Sequence, residues 1–256
     1  MNEILDSIPS LKDWLAAAPQ HEEIATERKY ARQSSRDDPY HHFKKAILEG
    51  DHMAARQIQR KQDWRAHSYP YFEGEDSKSL MFYSCHCNGK LAPMTDYMTF
   101  LYLADEEPDA VLATPPGGGS MLHATLCGAP SVAFIKELLV RGVNPYRTDD
   151  EGKTFLDHVR KSMENDDASL HNETLKADFA RICGITVEEL EADMRQTHEN
   201  SKTMVALLEE FIATHSKEEC EAREAEIKAR HAPAKTWAPA VQPPRRLTGG
   251  GAFPNL

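Results

Sequence analysis

Ser120-Met121-Leu122-His123, then Leu138-Leu139 and Gly142, then Gly152-Lys153-Thr154-Phe155-Leu156: the spacing of these residues decides how the chain folds. Leu122 and Leu126 place apolar side chains on one face of a first helix, and Phe134, Ile135, Leu138 and Leu139 follow the helical period on a second. Gly142 stands where the second helix ends, because glycine enters the left-handed conformation without steric cost. Gly152 follows ten residues later, and the register still holds at Thr154 and Leu156. Leu156 lies 34 positions after Leu122. A helix-turn-helix unit is thus followed by the opening of another, and such units bury their apolar stripes only by stacking.

Residues 118–160 resemble an ankyrin repeat and the start of its successor, a family whose period is about 33 residues. Ser120-Met121-Leu122-His123 takes the place of the family's Thr-Pro-Leu-His segment; the hydroxyl cap survives in Ser120, while Met121 gives up the pre-set proline turn. The resemblance implies that His123 is structural and hydrogen-bonds neighbouring turns, and that Gly142 to Gly152 is the finger loop. It implies an all-α ankyrin-repeat solenoid of about four repeats, at residues 39–72, 76–117, 118–150 and 151–215. In the first, Phe43 to Gly50 reads as helix and turn, with Met53, Ala54, Ala55 and Ile58 on the returning helix. In the second, Leu80 to Gly89 is answered by Leu91, Met94, Tyr97, Met98 and Leu101. Leu80 and Leu122 are 42 residues apart, which demands a long connection through Pro115-Pro116-Gly117-Gly118-Gly119.

The last repeat departs furthest from the pattern. Its first helix is expected to end near Met163, at Glu164-Asn165-Asp166-Asp167, yet apolar spacing suited to a partner helix returns only at Met204, Val205, Leu208, Phe211 and Ile212. Residues 164–202 therefore read as a helical insertion. Leu175, Phe179 and Ile182 mark one helix, Gly184 its stop, and Thr186-Val187-Glu188-Glu189 the capping-box start of another. The alternative is a small separate helical domain. Residues 1–38 hold an amphipathic helix, with Ile4, Leu5, Ile8, Leu11, Trp14 and Leu15, placed to cap the first repeat, followed by a polar linker. Residues 216–256 begin as a charged run, expected to continue the last helix into solvent. After His231 comes a Pro-, Ala- and Gly-rich tail with Lys235, Arg245 and Arg246 and no acid, whose composition predicts disorder. Its Trp237 and Pro243-Pro244-Arg245-Arg246 also suit a docked peptide.

Composition narrows the function. A net charge of −11 argues against nucleic acid and anionic lipid as partners. No apolar run approaches the roughly 20 residues of a membrane span. The opening Met1 to Asp6 has no basic segment followed by an apolar one, and the five irregularly spaced cysteines suit reduced thiols, so a cytoplasmic location is expected. Cys85-His86-Cys87 with His123 and Cys127 lacks the paired loop spacing of zinc sites, and the cysteines are expected as small buried residues. Neither metal nor cofactor is expected. No nucleophile-base-acid pattern frames Ser84, Ser120 or Cys127, and Gly117 to Gly119 lack the Lys-Ser/Thr of a phosphate loop, which leaves them as a hinge or spacer.

The resemblance then implies a non-enzymatic adaptor that binds another protein as a monomer, through its fingers and concave face. By position the candidate partner-binding residues are Trp64, Tyr69, Tyr71 and Phe72 in the first inter-repeat loop and Tyr146, Arg147, Asp149 and Asp150 in the third. Aromatic and arginine side chains are the usual anchors of interfaces. Two rival readings are a microbial effector acting on a host protein and an enzyme whose site uses His158, His171 or His198 around the insertion.

Overall fold

Ser131 Oγ accepts the Phe134 N–H at 3.1 Å and starts a helix that runs from Val132 to Val140. Its buried face is Ala133, Phe134, Ile135, Leu138 and Leu139, the stripe that the sequence spacing predicts. This helix is the centre of a computed structural model that describes residues 3–17, 39–62, 64, 80–85, 93–115, 117–127, 130–170 and 172–231. Among the described residues the regular elements are helices, joined by two isolated β-bridges.

In chain order the α-helices are α1 (Glu3–Ser7), α2 (Leu11–Ala17), α3 (Pro39–Leu48), α4 (His52–Gln62), α5 (Leu80–Cys85), α6 (Pro93–Glu106), α7 (Met121–Ala124), α8 (Val132–Val140), α9 (Phe155–Leu170), α10 (Glu173–Cys183), α11 (Val187–Thr214) and α12 (Lys217–His231). Short 3₁₀ turns occupy Pro108–Leu112 and Thr125–Cys127. The helices pack largely as neighbours: α3 on α4, α5 on α6, α7 on α8 and α9 on α11, with α3 on α6 and α8 on α11 linking successive pairs. Aromatic rings bind these layers. The Phe134 ring stacks on Tyr97 at 4.5 Å and meets Phe100 edge-on at 4.8 Å, while Phe43 contacts Trp64 and Tyr102 edge-on.

Several sequence expectations change in the folded chain. The amphipathic N-terminus divides into two short helices whose main contacts are α8 and α11 rather than the first repeat. Leu11 is fully buried there, Trp14 meets the Tyr97 ring at 5.5 Å, and the Ile4 N–H donates to Glu210 at 3.0 Å. Leu126 is 38% exposed although Leu122 is buried. After Ala124 the backbone tightens to 3₁₀ geometry, with Thr125 Oγ1 donating to the Leu122 carbonyl at 2.7 Å. At about three residues per turn a side chain four positions on leaves the face it would share in an α-helix.

The acidic run does not end α9, which continues through it to Leu170 while packing on α11. Gly184 stops α10 at φ +69°, and Thr186 Oγ1 accepts from Glu189 N–H at 3.1 Å to start α11, as the spacing anticipates. That helix then runs unbroken for 28 residues, about 42 Å at 1.5 Å per residue. The helix that starts at the Thr186 capping box and the stripe at Met204, Leu208 and Phe211 are thus one continuous element. The chain breaks at His215, where φ is −131° and ψ 118°, and Ser216 Oγ caps α12 by accepting from Glu219 N–H at 3.2 Å. The charged run is therefore not a continuation of α11; α12 folds back onto the Pro108–Leu112 turn. The tail from 232 to 256 lies outside the described residues.

Candidate interaction surface

The loop from Gly142 to Gly152 is built from its first glycine. At φ +92°, Gly142 donates its N–H to the Leu139 carbonyl at 3.0 Å, and Val143 donates to Leu138 at 3.0 Å. These two bonds satisfy carbonyls that the end of α8 would otherwise leave open. Asn144 Oδ1 then accepts the Tyr146 N–H at 2.9 Å across Pro145, an Asx turn that directs the loop away from the helix.

Asp149 organises the tip. Its Oδ1 accepts N–H groups from Glu151 and Lys153, both at 2.9 Å, and its Oδ2 lies 2.6 Å from His158 Nε2. Backbone donation from Lys153, followed by the His158 bond, holds this carboxyl down at about 2. The Asp149 N–H donates to the Lys153 carbonyl at 2.9 Å, and Thr148 and Thr154 form an antiparallel bridge. Hydrogen bonds within the loop thus fix its shape.

His123 ties this loop to the preceding turn. Its Nδ1 accepts the Ser120 N–H at 3.1 Å, and its Nε2 lies 3.2 Å from the Lys153 carbonyl, an oxygen that can only accept. The imidazole is therefore neutral with its proton on Nε2, and burial pushes its pKa down. Ligand atoms of His123, Asp149 and His158 all lie within 4.8 Å of one another, a spacing that a metal could exploit. In this arrangement His123 Nε2 faces the Lys153 carbonyl and His158 Nε2 the Asp149 carboxylate, so both rings are engaged in hydrogen bonds.

Gly117, Gly118 and Gly119 all have positive φ, and two of them are tightly packed rather than hinge-like. A Cβ on Gly118 would lie 2.7 Å from Asp150 Oδ1, and one on Gly119 would lie 2.5 Å from His123 Nδ1. Asp150 N–H donates to the Gly117 carbonyl at 3.1 Å, and Gly118 bridges to Asp149. Gly118 allows the close approach of two loops and Gly119 that of the His123 ring on the following helix, so neither serves as a free hinge.

No protein-family model, curated protein or solved structure matches the chain.

The candidate contact residues separate once their partners are seen. Trp64 is buried among Tyr40 and Phe43 and belongs to the core. Tyr146 donates its hydroxyl to the carbonyls of Ile212 at 3.1 Å and His215 at 2.7 Å, at the junction of α11 and α12. Arg147 binds both carboxylate oxygens of Glu224 and reaches Thr114 Oγ1 at 3.1 Å. Asp149 braces the loop, and Asp150 has an exposed position on its rim. Tyr69, Tyr71 and Phe72 lie outside the described residues. Of the histidines considered for chemistry, His158 is engaged by Asp149, His198 is buried on α11, and His171 lies outside the described residues.

Glu224 is the residue that sequence reading passed over. Cys220, Glu224 and Ile227 follow i, i+4 and i+7 spacing in the charged run, and Cys220 and Glu224 are buried with Ile227 packed beside the core. One acid in place of an apolar residue hides that stripe among the other charges. Cys85, from the considered metal cluster, is buried in the core; the side chains of Cys87 and Cys127 and that of His86 lie outside the described set. No described helix is long and apolar enough to cross a membrane.

Proposed function

We propose that the chain is a non-enzymatic, ankyrin-type adaptor that recognises another protein with the outer rim of its finger loop. One observation carries this reading: within Gly142–Gly152, Tyr146, Arg147 and Asp149 are used for internal bracing, whereas Thr148, Asp150 and Glu151 are exposed. A loop already rigid before association loses little entropy on binding. The exposed rim is acidic, so it suits a basic surface on the partner.

The solenoid reading is supported by a repeated helix start. Ser120 N–H donates to the His123 ring, and Thr154 N–H donates to the Asp157 carboxylate at 2.9 Å, 34 positions later. A glycine with positive φ stands two residues before each start, Gly118 and Gly152. His123 then joins the two turns through the Lys153 carbonyl.

A photo-crosslinking amino acid placed at Asp150 tests the reading, with the same group at exposed Glu226 on α12 as comparison. The expected result is a discrete crosslinked partner from position 150, lost when Glu151 and Thr148 are both changed to lysine. Capture that is equal at the two positions, or unaffected by the added lysines, would refute it.

A further inference from the structure

α10 turns its apolar stripe away from the protein. The sequence spacing of Phe179 and Ile182 predicts an amphipathic helix with those residues inward. In the folded chain the buried positions are Lys176 and Ala180, and the helix packs mainly on α11. Lys176 Nζ donates to Glu173 at 2.6 Å and to Glu191 on α11 at 2.5 Å, so two carboxylates compensate the buried ammonium. Phe179 and Ile182 are left 53% and 76% exposed, and Ile185, just past the Gly184 stop, is 37% exposed. Large apolar side chains grouped in this way mark an interaction surface, where single ones do not.

The charges beside the stripe carry both signs. Asp178 and Arg181 each stand one residue before an apolar member of it, and at about 100° per residue this places both on the same flank. They bond each other at 2.9 Å and are largely exposed, a kind of pair that contributes little and is readily exchanged. A wholly basic or wholly acidic partner would set one of them against a like charge. A second copy of the chain does not. In an antiparallel pairing about a two-fold axis midway between Ala180 and Arg181, Phe179 of each copy meets Ile182 of the other. The same axis keeps equivalent flanks together, which brings Asp178 of each copy beside Arg181 of the other.

We infer that the outer face of α10 is a self-association surface, on which two copies pair antiparallel with Phe179 on Ile182 and Asp178 on Arg181. This is a dimer in place of the monomer that the family resemblance implies. Three apolar side chains cover less than the roughly 800 Å² per partner of a standard interface, and each copy carries a net charge of −11. The dimer is therefore reversible, with a dissociation constant on the order of 10–100 μM. Its surface includes no residue of the loop from Gly142 to Gly152, so the inference stands independently of the proposed rim recognition.

Sedimentation velocity of the full chain under reducing conditions, from about 5 to 500 μM, tests it. The unaltered chain should pass from monomer to dimer over that range. Changing Phe179→Ser together with Ile182→Ser removes only exposed side chains, so the fold is kept, and association should weaken at least about tenfold. Asp178→Arg alone and Arg181→Asp alone should each weaken it by about fivefold, because like charges then meet across the axis. An equal mixture of these two variants should associate as well as the unaltered chain, since opposite charges again face one another. A chain that stays monomeric throughout overturns the inference. So does a dimer that survives the two serines, or a mixture that associates no better than its components.

Discussion

Arg147 and Glu224, separated by 77 positions in the sequence, form a two-point ion pair in which Arg147 Nε lies 3.1 Å from Glu224 Oε2 and Nη2 bonds the other oxygen. The pair joins the loop from Gly142 to Gly152 to α12. Together with the Tyr146 hydroxyl on the α11–α12 junction, it makes this side of the loop part of the fold rather than a free binding edge.

Tyr146→Phe should destabilise the chain by about 1–2 kcal/mol, because the ring stays while the carbonyls of Ile212 and His215 lose their shared donor. Urea unfolding checks this, with a lower midpoint and an unchanged slope as the expected outcome. A midpoint equal to that of the unaltered chain would show that water replaces the hydroxyl without cost.

Acid should act in two stages. The pKa of His123 is lowered in the folded chain, so the unfolded chain takes up a proton first, near pH 6.5. Its contribution is complete above that pH and is lost as pH falls through the unfolded value towards the folded one. Asp149 contributes above its unfolded value of about 3.9 and loses that contribution as pH falls to about 2. Urea midpoints measured from pH 7.5 downwards should show both declines, and His123→Ala should remove its share of the first while leaving the second. An identical upper decline in the variant would exclude His123 as a contributor.

The glycines before Ser120 should differ in their tolerance of alanine. At Gly117 nothing lies within 4 Å of an added Cβ, so the cost is that of the positive φ, about 1 kcal/mol. At Gly119 the same backbone strain is joined by a 2.5 Å approach to His123, and the loss should be larger by at least about 1 kcal/mol. Thermal or urea denaturation of the two variants makes the comparison, and equal losses would contradict the close packing of His123 over Gly119.

The elements most legible in sequence are those specified by neighbouring residues. α8 follows from the spacing of Phe134 to Leu139, its end from Gly142, and the start of α11 from Thr186 and Glu189. Features set by distant contacts were hidden. Glu164 to Asp167 reads locally as a helix end, but packing on α11 carries α9 through it. Gly117 to Gly119 reads as a flexible spacer because only the folded chain brings Asp150 against Gly118. The candidate site suffered most: loop position identified Tyr146 and Arg147, but their partners lie 66 to 77 residues away, within a run whose composition suggests only solvated helix. The bounds of the loop were readable from its glycines; which of its side chains remain outward was not.

A double-mutant cycle on Arg147 and Glu224 most directly tests the claim that α12 braces the loop from Gly142 to Gly152. Urea unfolding of Arg147→Ala, Glu224→Ala and the double variant should give a coupling of at least about 1 kcal/mol, with the double variant less destabilised than the two single losses combined. Single losses that add to within about 0.3 kcal/mol would contradict it, leaving the loop and α12 as independent parts of the molecule.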